Sequence, residues 1–117
     1  MTEHAHVELH DLAELWERSS GAPHTVFAQE DPPIESGTYV INPGERVPAS
    51  GTTSHDGPEL SVILSGEAVI GRPGADGAEE RTVPPGTFSL IPAGVEHYSA
   101  NRGDEPVRLV YTLVGGL

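Results

Sequence analysis

The sequence predicts an all-β protein with one short helix near its N-terminus. Glycine and proline account for 14 and 11 of the 117 residues, a share that suits many short strands joined by tight turns. These turn-forming residues divide most of the chain into strand-like segments at spacings of roughly 8–12 residues, which is typical of a β-sandwich or barrel. Helical periodicity occurs in one segment only, so a fold of alternating strands and helices is excluded.

The helical segment is predicted at residues 8–18. Apolar residues recur there at i, i+3, i+4 and i+7 and form one stripe: Leu9, Leu12, Ala13 and Trp16. The Ser-Ser-Gly sequence at 19–21 ends the helix. Because Trp16 belongs to the stripe, we expect it to dock the helix against the barrel or against a partner subunit.

The rest of the chain reads as strands separated by Pro-Gly and similar turns. The candidate strands are 24–29, 36–41, 46–49, 59–65, 67–72, 79–83, 87–91, 96–100 and 107–114. The polar segment 73–81 is expected to be an exposed hairpin tip. We interpret residues 1–117 as a single domain, with a tail and helix in 1–23 and the barrel in 24–114.

Composition excludes several classes of function. Eighteen acidic residues against six arginines and no lysine give a net charge of −12, which disfavours binding to nucleic acid or to an anionic membrane. The absence of cysteine excludes disulfides, thiolate metal sites and thiol nucleophiles. No apolar run approaches the roughly 18 residues of a membrane span, and the first residues lack the features of a signal peptide. We therefore expect a soluble cytoplasmic protein.

Two histidines stand in β contexts that suit a binding site. Thr53, His55 and Glu59 are two and four positions apart, so in an extended chain all three side chains point into the same interior. His97 follows a strand and a tight turn, which presents a third candidate on the returning strand. Imidazole nitrogen and carboxylate oxygen are the usual ligands of divalent first-row metals.

The residues around His97 fit a longer pattern: Gly, five residues, Pro-x-Gly, two residues, His, three residues, Asn. Every fixed position is matched, by Gly86, Pro92, Gly94, His97 and Asn101. This pattern is the second motif of the cupin superfamily. His55, Glu59 and Gly66 match the later part of the first cupin motif, in which Thr53 stands in place of the first histidine. Over about residues 36–114 the sequence resembles this family.

The resemblance implies a small antiparallel jelly-roll barrel, usually dimeric, with a metal held near its centre by three histidines and one glutamate. With Thr53 at the first position, the remaining ligands are His55, Glu59 and His97. Two imidazoles and one carboxylate are also the ligand set of non-haem Fe(II) oxygenases. We expect the Thr53 hydroxyl to hydrogen-bond a metal-bound water, because it is a poor direct ligand.

The sequence thus predicts a metal-dependent enzyme acting on a small organic molecule, with a place in a biosynthetic pathway as one option. Iron would indicate an oxygenase, whereas Zn, Mn or Ni would indicate an isomerase, lyase, decarboxylase or cyclase. If Glu59 is not a ligand, it becomes a candidate general acid or base. The alternative is a ligand-binding or sensory cupin that holds no metal. For a homodimer, strands 24–29 and 107–114 are the candidates to pair across the two-fold axis.

Alternation also predicts the pocket lining. Ser61 and Ile63 should follow Glu59 inward, and Val95 and Ser99 should follow His97. Four further residues are candidates for the lining, although alternation does not determine which face they occupy: Tyr39, Phe88, Tyr111 and Arg108. We expect Arg108 to face solvent on an edge strand. Asn101 is expected to cap a turn. The other histidines, His4, His6, His10 and His24, are expected to be surface residues. The serines stand in no Gly-x-Ser-x-Gly elbow, and there is no phosphate-binding loop.

Overall fold

The computed structural model of the chain describes residues 7–75 and 77–115. Within them one short helix, α1 (Leu12–Glu17), precedes the strands. The strands are β1 (His24–Glu30), β2 (Pro33–Ile41), β3 (Arg46–Val47), β4 (Glu59–Ser65), β5 (Ala68–Gly74), β6 (Gly77–Val83), β7 (Phe88–Ile91), β8 (Tyr98–Ala100) and β9 (Val107–Val114). The prediction of an all-β fold with one helix is confirmed.

The strands form two antiparallel sheets. One has the order β1-β2-β9-β4-β7 and the other has the order β3-β8-β5-β6. Both sheets contribute to one apolar core, whose buried members are Ile41, Ile63, Ala68, Val83, Val107, Leu109, Tyr111 and Leu113. The sheets therefore pack face to face as a jelly-roll barrel, and the cavity described below lies between them.

Strand β9 is the centre of the five-stranded sheet, with β2 on one side and β4 on the other. Its burial alternates strictly, because odd-numbered residues face the core and even-numbered residues face outward. The expectation that 107–114 pairs with a second subunit is wrong, since both of its edges are already occupied. The expectation that Arg108 lies on an edge strand is wrong for the same reason; it is half-buried and donates to Ser65 Oγ at 3.4 Å.

The helix is shorter than predicted. Asp11 caps its N-terminus by accepting from the backbone N–H of Ala13 at 2.9 Å, so Leu9 lies before the helix and is 89% exposed. The predicted apolar stripe is therefore wrong, and Leu15 is the buried helical residue. Docking by Trp16 is confirmed, because its indole N–H donates to the carbonyl of Leu109 at 3.0 Å. In the described part of the chain no helix has the length and apolarity needed to cross a membrane.

The predicted hairpin at 73–81 and the predicted turn cap at Asn101 are both found in the structure. The exposed segment 73–81 is a hairpin, but its tip is shorter than expected because β5 and β6 extend to Gly74 and Gly77. Asn101 is buried and caps the turn that follows β8. Its amide donates to the carbonyls of Ile41 (2.9 Å) and Glu105 (2.7 Å), and its side-chain oxygen accepts from the N–H of Gly103 at 2.9 Å.

Gly66 shows why a glycine is needed between β4 and β5. Its φ is +74°, and a Cβ there would lie 2.3 Å from the carbonyl oxygen of Pro106. A side chain would therefore force the turn between β4 and β5 away from Pro106, the residue that precedes β9. Positive φ is also found at Gly86 and Gly94 of the second motif and at Gly44, which follows β2.

Candidate metal centre

His97 is held in place by its backbone and by its ring. Gly94, at φ +76°, makes the turn after β7, and two 2.9 Å backbone hydrogen bonds join His97 to Thr53. The ring Nδ1 donates to the carbonyl of Val95 at 2.9 Å, since a carbonyl can only accept. In neutral His97 this hydrogen bond places the proton on Nδ1 and leaves Nε2 as the free ligand atom. The side chain is buried at 6% exposure.

His55 and Glu59 reach the same point from the segment that leads into β4. The carbonyl of His55 accepts from the N–H of Gly94 at 2.8 Å, which ties this segment to the turn before His97. Glu59 Oε1 lies 3.3 Å from His55 Nε2 and 3.9 Å from His97 Nε2. The two imidazole rings are 5.7 Å apart between centroids. The structure thus brings together all three sequence-predicted ligands.

The donor atoms fit a divalent metal ion. One ligand atom from each of His55, Glu59 and His97 lies within 4.8 Å of the other two. Bonds of roughly 2.0–2.2 Å to nitrogen or oxygen place two ligands of one ion at most about 4.4 Å apart, so the 3.3 and 3.9 Å separations are compatible with shared coordination. Two imidazoles and a carboxylate suit Fe, Zn, Mn or Ni. Thr53 is half-buried and lines the same cavity.

These side chains line a cavity of about 290 Å³ between the two sheets. The lining includes predicted pocket residues from several strands: Ser61, Ile63, Ser99, Tyr39 and Tyr111. Val95, Phe88 and Arg108 are not part of it. Alternation fails for Val95 because it lies in the turn before β8, and Phe88 projects from the outer face with 65% exposure.

Sequence reasoning missed Glu35, which also lines this cavity. Its Oε2 accepts from the hydroxyls of Thr25 (2.9 Å) and Tyr111 (3.0 Å). Burial, more than the neighbouring carboxylates, raises the pKa of Tyr111 to about 12, so its phenol stays protonated at neutral pH. Alternation along β2 from Tyr39 would have placed Glu35 on the inner face, but its partner Tyr111 is 76 residues away in the sequence.

The remaining histidines lie away from this group. His10 is near the carboxylate of Glu8, with 3.2 Å between Nε2 and Oε1, and both side chains are exposed. His24 is half-buried at the start of β1. His4 and His6 lie outside the described residues.

A second polar cluster lies outside the cavity. The Tyr98 hydroxyl and the Arg102 guanidinium both donate to Glu80 Oε2, and the Arg46 guanidinium stacks 3.9 Å above the Tyr98 ring. These hydrogen bonds, led by that from Tyr98, lower the pKa of Glu80. The groups satisfy one another, so the cluster joins β6 and β8 and presents no free ligand atom toward the cavity.

Solved structures share this fold, and two of the three described here span nearly the whole chain. An uncharacterized conserved protein with a double-stranded β-helix domain from Klebsiella pneumoniae has a TM-score of 0.74 at 18% identity, with 95% of this chain and 92% of that chain covered. A protein from Thermus thermophilus has a TM-score of 0.71 at 28% identity, with coverages of 92% and 98%. A putative sugar phosphate isomerase from Acidithiobacillus ferrooxidans has a TM-score of 0.56 at 19% identity, with coverages of 69% and 49%.

Among curated proteins, none matches the sequence at a significant level. The family model for the cupin domain matches residues 37–113, which is well over half of the chain and includes both groups of candidate ligands. The jelly-roll architecture and the inward-facing His-Glu-His group agree with that match. The chain therefore belongs to the cupin family.

Proposed function

We propose that this cupin is a metal-dependent enzyme that acts on a small organic molecule, with His55, Glu59 and His97 as the metal ligands. The observation that supports it most is the convergence of these three donors on one cavity. A metal held there would supply oxygen chemistry if it is Fe, or polarisation of a substrate oxygen if it is Zn, Mn or Ni. The cavity of about 290 Å³ lies near the lower end of the range for small-molecule sites.

The chain's own side chains prepare this site. Val95 fixes the orientation of the His97 ring through its carbonyl. The Ser61 hydroxyl lies 3.4 Å from Glu59 Oε2 and donates to it, which leaves Oε1 facing the two histidines. The protonated phenol of Tyr111 is a hydrogen-bond donor in the same cavity. These groups orient the metal ligands and the substrate.

Thr53 limits which relatives can indicate the function of this chain. It replaces one imidazole of the usual four-ligand set and leaves a coordination position free of protein. The cavity lining also holds no arginine among the described residues, and the sequence has no lysine. A phosphorylated sugar would find no cationic side chain there, so we do not extend the description of the Acidithiobacillus ferrooxidans neighbour to this chain.

Elemental analysis tests the proposal directly. The protein is purified without a metal-affinity step and compared with His55→Ala and His97→Ala, and His24→Ala serves as a histidine control outside the cavity. We expect about one metal ion per chain in the wild type and in His24→Ala, with loss of the metal in the other two variants. Absence of metal from the wild type after reconstitution with Fe, Mn, Ni and Zn would overturn the proposal.

The second candidate function is binding without catalysis. It is favoured by Thr53, because loss of one imidazole weakens metal affinity while the cavity itself persists. His55, Glu59 and His97 would then hydrogen-bond an organic ligand directly. A ligand that binds metal-free protein and is recovered unchanged, with no oxygen consumed, would favour this function over the first.

We also infer that the chain forms a homodimer through the outer face of β4 and β7. Strand β7 is an edge of its sheet, and exposed apolar side chains on this face include Phe88 (65%), Leu90 (59%) and Leu64 (45%). No charged residue lies within β7. In a chain of net charge −12, an uncharged face is where two copies approach at the least electrostatic cost.

A further inference from the structure

Glu35 is a carboxylate held against the cavity without a cationic partner. Its Oε2 is fixed by the hydroxyls of Thr25 and Tyr111, at 2.9 and 3.0 Å. Across residues 7–75 and 77–115 no ion pair includes Glu35. The structure therefore places an anionic acceptor in the cavity and leaves its charge unpaired.

Strand register fixes where Glu35 stands relative to the candidate metal ligands. Leu113 of β9 pairs with Glu35 on β2 and with Glu59 on β4, so the three residues form one row across the sheet. All three line the cavity. Two strand spacings separate the backbones of Glu35 and Glu59 by roughly 9–10 Å. A small molecule lying along this row reaches both carboxylates.

The cavity around this row is poor in groups that would bind an anion. Its lining in the described part of the chain contains no arginine, and no lysine exists in the sequence. Many of its other lining residues are apolar: Pro23, Ile41, Val47, Ile63, Leu109 and Leu113. An anionic ligand would meet Glu35 unpaired, and a wholly apolar one would cover that carboxylate without replacing its lost hydration.

We propose that the cavity binds a small, mainly apolar organic amine, whose ammonium group donates to Glu35 while its other end lies toward His55, Glu59 and His97. An ammonium supplies the charge and the hydrogen-bond donors that the carboxylate lacks, and hydrogen bonds between ionised groups are the stronger kind. This inference rests on the proposed function in so far as it names the substrate class of the same site. Glu35 is then the residue that determines specificity.

The experiment uses three probes that share one ring: benzylamine, benzyl alcohol and benzoate. Calorimetric titration at neutral pH is carried out on the wild type, on Glu35→Gln, on Glu59→Gln and on a control, Glu105→Gln. Glu105 is an exposed carboxylate outside the cavity. We expect benzylamine to bind the wild type and Glu105→Gln at least about tenfold more tightly than benzyl alcohol, and benzoate to bind more weakly than either. Glu35→Gln should lose the amine preference while its affinity for benzyl alcohol stays within about twofold, because an amide oxygen still accepts from Thr25 and Tyr111.

Three results of these titrations would overturn the proposal that an amine binds at Glu35. An alcohol that binds as tightly as the amine, or an amine preference that survives Glu35→Gln, overturns the inference. An amine preference abolished by Glu59→Gln and not by Glu35→Gln would place the ammonium at the other carboxylate and also overturns it. Thermal melts of each variant separate loss of binding from loss of fold.

The titrations are carried out on metal-free and on metal-reconstituted protein. Failure of the proposed function appears as an absence of bound metal, whereas failure of this inference appears in the amine preference of the metal-free chain. The two failures are therefore distinguishable.

Discussion

Thr53 and His97 are paired through their backbones, each N–H donating to the other's carbonyl at 2.9 Å. The pair fixes the residue at position 53 beside a candidate metal ligand, and both side chains line the cavity. Position 53 is also where the first cupin motif has its first histidine. The backbone therefore holds position 53 beside His97, although the imidazole of the family motif is missing there.

Restoring that imidazole should strengthen metal binding. We expect Thr53→His to bind a divalent metal at least about tenfold more tightly than the wild type, because it adds a fourth protein ligand at a position the backbone already holds. Competition titration with a chelating dye measures the change, and Thr53→Ala is the matched control. Equal affinity of all three proteins would show that position 53 does not face the metal.

Truncation of a core side chain should destabilise the protein, whereas truncation of Leu9 should not. Ile41 is 2% exposed within the core between the sheets, and Ile41→Ala is expected to lower the free energy of unfolding by about 2–5 kcal/mol. Leu9 is 89% exposed before the helix, and Leu9→Ala is expected to change it by less than about 0.5 kcal/mol. Urea denaturation measures both. A large loss in Leu9→Ala would mean that this residue is covered in solution.

The ligand group was predicted from two sources, local motif spacing for His97 and family resemblance for His55. The spacing from Gly86 to Asn101 predicts a strand, a tight turn and a returning histidine, and this arrangement is found around His97. The convergence of His55 with it depends on the hydrogen bond from Gly94 to the His55 carbonyl, which joins two segments distant in sequence. That contact follows from the family resemblance and not from alternation, since residues 53–58 are not a continuous strand.

The pairing of strands that are distant in sequence explains why Glu35 was missed. The interaction of Glu35 with Tyr111 requires β2 to pair with β9 in one particular register, which no local pattern specifies. The central position of β9 also depends on pairing with strands that are distant in sequence, here β2 and β4. For the helix, apolar periodicity places the start one turn too early, because Asp11 caps the helix after Leu9 and thereby leaves Leu15 as its buried residue.

Alkaline pH should destabilise the protein through its tyrosines. Burial raises the pKa of Tyr111 from its ordinary value of 10.0 to about 12, so the unfolded chain releases this proton at lower pH than the folded chain. Stability from the protonated phenol is therefore fully present below pH 10 and decreases as pH rises from 10 toward 12.

The other tyrosines shift in the same direction. Burial raises the pKa of Tyr39, and the hydrogen bond to Glu80 raises that of Tyr98. Absorbance of tyrosinate, followed together with circular dichroism, should rise only as the fold is lost. The variant Tyr111→Phe should show a shallower decrease in melting temperature across this interval. Full tyrosinate formation near pH 10 with the fold intact would contradict the prediction.

The proposed dimer face yields the last prediction. Phe88 and Leu90 project outward from β7 and pair in register with Val62 and Leu60 of β4, so the four side chains form one apolar surface. The double variant Phe88→Ser with Leu90→Ser should convert a dimer to a monomer, because an isologous contact loses each removed side chain twice. Light scattering coupled to size exclusion measures the mass, and Phe27→Ser, an exposed aromatic on the opposite edge strand β1, is the control. A wild type that is monomeric at micromolar concentration, or a control that dissociates while the double variant stays dimeric, would show that this face is not the interface.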